Sequence, residues 1–272
     1  GQGQEEGGPP GAPHRAGSEA AQPAAGSMSA KPFLFLSARP EVEAVGPEYE
    51  SVRRATGLDA SRLDHLRLDV DPLGDLDLDD VAGVIVGGSP YNVTTPEAGK
   101  HPLQLRVEDD LARLAEAAVA ADHPVLFTCY GIGVLTRVLG GTVGTLHGEQ
   151  TAAVEVVLTD AGADDPLVGV LPRRFDALVG HKEATERLPS DAVLLAASAG
   201  CPVQIYRVGR RVYATQFHPE VSTADFVARA QVYRHHGYFP ASELREVSER
   251  LAAASVTEPQ RILRRFVELA SG

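Results

Sequence analysis

Apolar and polar positions follow two grammars along this chain, and the switch between them predicts its architecture. Short apolar runs come first: PFLFLS at 32–37, VAGVIVG at 81–87 and PVLFT at 124–128. Runs this short and this apolar read as strands buried on both faces. HLRLDV at 65–70 alternates with period two and predicts a further strand. Between the runs lie segments with helical spacing. EYESVRRATGL (48–58) ends near a glycine, and within 103–121 Val107, Leu111, Leu114 and Ala118 recur on one face. YGIGVLTRVLG (130–140) predicts the next helix. Strands alternating with helices imply a mostly parallel sheet with helices on both faces. Crossovers in such a sheet are right-handed, and sites gather at the carboxyl ends of its strands.

The second grammar starts at TAAVEVVLT (151–159). AVLLAAS (192–198), PVQIYRV (202–208) and RVYATQF (211–217) are short strands, the last two joined by Gly209-Arg210, which predicts a hairpin and an antiparallel extension of the sheet. Residues 224–239, 242–254 and 259–270 read as helices, the last an amphipathic helix packed on the domain. Residues 1–27 hold no aliphatic side chain larger than alanine and cannot offset their ordering entropy, so they are expected to be disordered. Met28, the only methionine, is the expected natural start, with a single domain over 28–272 whose helical tail begins at about 222.

Composition narrows the function. A net charge of −12 with scattered cations argues against nucleic acid and anionic membrane surfaces. No apolar stretch is long enough to cross a bilayer, and no signal-peptide pattern is visible, so a cytoplasmic location is expected. The two cysteines, Cys129 and Cys201, form neither a disulfide scaffold nor a metal-ligand spacing. No cofactor and no metal are expected, and no GxxxxGK[ST] loop is present.

Three places carry candidate chemistry, each at a strand end. Gly87-Gly88-Ser89-Pro90 is a turn whose N–H groups can face a cavity, or simply a tight turn. Cys129 follows a buried run and precedes Tyr130-Gly131 and a helix, the layout of a nucleophile elbow, in which the helix N-terminus favours negative charge on the sulfur. The same position suits a small buried hydrophobe. In YATQFHPEV (213–221) a strand delivers His218, and Glu220 stands two residues on, positioned to orient the imidazole in a Cys-His-Glu arrangement.

Taken together these motifs resemble the class I glutamine amidotransferase-like superfamily, particularly the glutaminase domain of GMP synthase and its stand-alone relatives. The resemblance runs collinearly from about Phe33 to Val221 through VIVGGSP, PVLFTCYGIGVLTRVLGG, GHKEATERLPSDAVLLAAS and VYATQFHPE. It implies a flavodoxin-like three-layer sandwich. It also implies that Cys129 attacks the carboxamide of glutamine, with His218 as base and then acid and Glu220 orienting His218. The oxyanion would be held by the N–H of Tyr130 and one from Gly88 or Ser89, and the γ-glutamyl thioester would be hydrolysed by water. Gly131, Gly133, His181 and Lys182 would border the substrate, and a separate synthetase subunit would accept the ammonia. Two positions depart from the family pattern: Phe127 stands where a glycine is usual, and Gly133 replaces a glutamine that helps to hold the substrate. The second departure keeps two alternatives open, a free-standing γ-glutamyl hydrolase and a catalytically silent binding or regulatory subunit.

Overall fold

The computed structural model describes Gly3 and residues 30–272; apart from Gly3, the segment 1–27 expected to be disordered lies outside the described residues. The first half of the chain gives β1 (Phe33–Ser37), α1 (Val42–Thr56), β2 (Leu63–Arg67), β3 (Gly83–Val86), α2 (Pro102–Ala121), β4 (Val125–Thr128) and α3 (Tyr130–Val138). It continues with β5 (Thr142–Gly144), β6 (Glu149–Leu158), α4 (Asp160–Ala163), β7 (Arg174–His181) and β8 (Ala184–Arg187). Then come β9 (Ala192–Ser198), β10 (Ile205–Val208), β11 (Val212–Thr215), α5 (Thr223–Val232), α6 (Leu244–Ala253) and α7 (Gln260–Ser271). One sheet has the order β2-β1-β3-β4-β11-β10-β9-β6-β7, and β5 pairs with β8 separately. Strands β2, β1, β3, β4 and β11 run parallel. The remaining pairings in the sheet are antiparallel, as the change of grammar predicts.

Strand pleating explains why the first runs are apolar throughout. Successive side chains point to opposite faces, so Phe33, Phe35, Ile85 and Leu126 enter one core with Val52 of α1 and Phe266 of α7. Leu34, Leu36, Val84, Val86, Val125 and Phe127 enter the other with Leu111 of α2 and Leu135 of α3. A strand covered by helices on both sides has no polar face to offer. The result is the flavodoxin-like three-layer sandwich. Helix α7 packs as expected, burying Ile262, Leu263 and Phe266.

Several stretches differ from the sequence reading: α5 ends at Val232, short of the expected 239, and β5 lies where the pattern named no strand. Helix α1 begins at Val42, ahead of the 48–58 pattern, because Ala44 and Val45 are buried even though Pro47 lies inside the helix. Strands β7 and β8 occupy 174–187, where the pattern named no strand. In β7, exposed Arg174 and Asp176 alternate with buried Phe175 and Ala177, the period of an edge strand with one wet face. Helices α5 and α6 form a smaller core around Leu178, Val221, Phe226 and Val247. No helix among the described residues is long and apolar enough to cross a membrane.

Candidate active site

Cys129 is pinned between two strands before the chain turns. Its N–H donates to Thr215 O on β11 at 2.8 Å, and the preceding Thr128 Oγ1 donates to Val86 O on β3 at 2.8 Å. The cysteine then takes φ 48°, ψ −100°, a region that costs a non-glycine residue about 1–3 kcal/mol. Such strain persists only where the surroundings over-determine it, and here it throws the side chain off the sheet edge at the start of α3. The helix can approach because residue 131 is glycine: a Cβ there would lie 3.1 Å from Phe127 Cβ and 3.3 Å from Val86 Cγ1. Phe127, unusual in an elbow, is accommodated by filling the core on the α2–α3 side. Tyr130, first in α3, has an N–H with no intrahelical acceptor. Cys129 is partly exposed, whereas Cys201 is buried and its burial pushes the thiol up to about 12.

His218 leaves the sheet just past β11, its N–H donating to Leu178 O on β7 at 3.2 Å. The strand absent from the sequence reading thus holds the imidazole's backbone. His218 Nδ1 lies 3.0 Å from Glu220 Oε1, and Arg229 Nη1 on α5 donates to the same oxygen at 2.9 Å. Nδ1 facing the carboxylate leaves Nε2 as the nitrogen for the thiol. Burial alone would push this imidazole toward its neutral form. The Glu220 carboxylate and then the Cys129 sulfur, by charge and hydrogen bonding, instead hold it protonated up to about 9. Burial likewise opposes the charge on Glu220, yet His218 and Arg229 keep its carboxyl far below the usual carboxylate range.

Gly88 closes the third side. A Cβ on it would stand 2.7 Å from His218 Cε1, 2.9 Å from Arg39 Nη2 and 3.4 Å from Cys129 Cβ, so only glycine fits between them. Ser89, the next residue, lines a cavity of about 40 Å³ with Arg39, Cys129, Thr151, His218 and Tyr238. That volume holds a few waters. Residues Phe226 to Phe239, from α5 and the turn after it, wall the other side. Of the residues named from sequence, Cys129, His218, Glu220, Gly88, Ser89 and Tyr130 therefore converge.

The four expected substrate neighbours are placed differently. Gly131 is spent on the helix–strand approach. At Gly133 a Cβ would meet Val93 Cγ2 at 3.2 Å and Glu183 Oε1 at 3.6 Å, so the space of a longer side chain is already filled. Glu183 ties this loop down, accepting from Val93 N at 2.7 Å and Thr94 N at 2.9 Å. Both ring nitrogens of His181 are engaged elsewhere, Nε2 2.8 Å from Glu149 Oε2 and Nδ1 2.9 Å from Glu183 O. The Lys182 ammonium stacks over the Tyr238 ring at 4.9 Å. Glu149, His181 and Cys201 bring one ligand-type atom each within 4.8 Å. The carboxylate and imidazole are already joined there by a hydrogen bond, and the third group is the thiol that burial keeps protonated.

Arg39, Arg229, Tyr233 and Tyr238 were not singled out by sequence. Arg39 carried a usable signal, a cation just past the carboxyl end of an apolar strand. The other three come from the tail, and no local spacing connects them to Cys129.

The profile of the family described as glutamine amidotransferase class-I matches residues 56–230. Among curated proteins, a glutamine-hydrolysing GMP synthase of Aeropyrum pernix is 34% identical over 152 residues, 56% of this chain and 26% of that protein. One from Borreliella burgdorferi is 26% identical over 155 residues, 57% of this chain and 27% of that protein. The chain thus spans about a quarter of the length of these relatives. Among solved structures, a glutamine amidotransferase from Thermotoga maritima superposes with a TM-score of 0.65 at 19% identity, over 88% of this chain and 98% of that one. One from Methylobacillus flagellatus gives 0.65 at 20% identity, over 88% and 94%. At these identities the structures speak for the fold.

Proposed function

The chain belongs to the class-I glutamine amidotransferase family, and from that premise we propose that it hydrolyses the carboxamide of glutamine, or of a related γ-glutamyl compound, through a thioester on Cys129. The observation that carries the reading is the strained Cys129 turn beside a buried imidazole held protonated by Glu220. The Cys129 thiolate adds to the amide carbon, and the N–H groups of Tyr130 and Gly88 or Ser89 receive the oxyanion. Such a donor is worth about 3–4 kcal/mol of barrier. As the C–N bond breaks, His218 gives its proton from Nε2 to the leaving ammonia. Neutral His218 then takes a proton from water, which attacks the thioester and returns the thiolate and the acid. Glu220 keeps the ring oriented through both halves, and Arg229 fixes Glu220.

The space filled at Gly133 favours a second reading, hydrolysis of a γ-glutamyl amide with a differently held acyl end. Under the first reading, the ammonia passes to a separate synthetase subunit. Labelling with a glutamine-analogue diazoketone, followed by peptide mapping, separates these outcomes. A single adduct on Cys129 that is lost in Cys129→Ala and slowed in His218→Ala supports the glutaminase. Reaction of Cys129 with iodoacetamide but not with the glutamine analogue favours the γ-glutamyl hydrolase. An inert Cys129 overturns both.

A further inference from the structure

The cation beside the thiol is the feature that the proposed reaction leaves without a task. Arg39 is 3% exposed, a costly place for a guanidinium. Two of its nitrogens are used: Nε donates to Glu48 Oε1 at 2.8 Å, and Nη1 to Tyr233 Oη at 3.1 Å. Nη2 has no hydrogen-bond partner among the described residues. Instead it rests against Gly88, at the point where a Cβ would also touch Cys129 and His218, and Arg39 lines the cavity that these groups share. A charged donor on a buried side chain therefore borders the cavity that Cys129 lines, without a partner among the described residues.

We propose that Arg39 forms a carboxylate subsite beside Cys129, and that the substrate carries a carboxylate which binds Nη2. This rests on Cys129 being the nucleophile of the proposed function. Arg39 is then the group that selects acidic acyl substrates, such as γ-glutamyl compounds, over neutral amides.

The test uses two alkylators small enough for the cavity, iodoacetate and iodoacetamide. Their rates on Cys129 are measured by peptide mass mapping, with free cysteine as the reference. In the wild type, the iodoacetate-to-iodoacetamide rate ratio should exceed that of free cysteine by roughly tenfold, as one close unit charge dictates. Arg39→Met would strand Glu48, so the main variant is Arg39→Met with Glu48→Gln, which removes both charges together; its fold is checked by thermal denaturation. Its ratio should fall well below the wild-type value, to what the protonated His218 alone supplies, and Arg39→Lys should keep part of the preference. A wild-type ratio equal to that of free cysteine, or one unchanged in the double variant, overturns the subsite while leaving the nucleophile in place. Failure of both reagents to label Cys129 overturns the nucleophile and the subsite together.

Discussion

Replacing Glu220 with glutamine is the perturbation whose size the structure defines best. The His218 imidazole is held protonated up to about 9, against 6.5 for a free side chain. That difference corresponds to about 3 kcal/mol in favour of the charged ring. Burial works against the charge, so Glu220 and Cys129 together must supply more than this. The Glu220 charge is the largest single influence that raises it. Its removal should therefore lower the His218 midpoint by at least about one pH unit, which is about 1.4 kcal/mol. The assay is a histidine NMR titration, with the His218 resonance assigned by its absence in His218→Ala. The single variant strands the Arg229 cation, at a cost of about 3–5 kcal/mol for a broken buried pair. Glu220→Gln with Arg229→Gln supplies the balanced version. A His218 midpoint that stays near 9 in both variants would refute the assignment of Glu220 as the group that holds the ring charged. A midpoint that falls in the single variant and recovers partly in the double one would separate loss of the carboxylate from exposure to a bare guanidinium.

Further outcomes follow from the same geometry. Cys129→Gly should be more stable to denaturant than Cys129→Ala by about 1 kcal/mol, because only glycine relieves a positive φ of this kind; equal stabilities would mean that the turn is unstrained. Glu183→Ala should speed amide exchange at Val93 and Thr94, which both donate to that carboxylate, with little change at β1. Because the folded His218 value lies above 6.5, its stabilising contribution is complete below pH 6.5 and is lost as pH rises through about 9. Chemical denaturation of the wild type should therefore lose stability over that window more steeply than His218→Gln does.

Most of the parallel half was legible because its physics is local. A strand covered on both faces must be apolar throughout, and this alone marked β1, β3 and β4 and hence the layered fold. The hairpin of β10 and β11 was equally legible from two short runs meeting at Gly209-Arg210. Cys129, His218 and Glu220 could be named because each follows a strand end in a recognisable string. The edge strand β7 escaped notice because exposed Arg174 and Asp176 interrupt its apolar start, and yet its Leu178 carbonyl holds the backbone of His218. What only the tertiary structure decided lies between distant segments. It brings Arg39, just past β1, within hydrogen-bonding reach of Tyr233, at the end of α5, across the mouth of the site. It fills the space at Gly133 with Val93 and Glu183 from separate loops. Local sequence determines which residues can bury and where a chain must turn. The charge balance around a thiol is a sum over whichever groups the packing brings together, and no single stretch of sequence contains it.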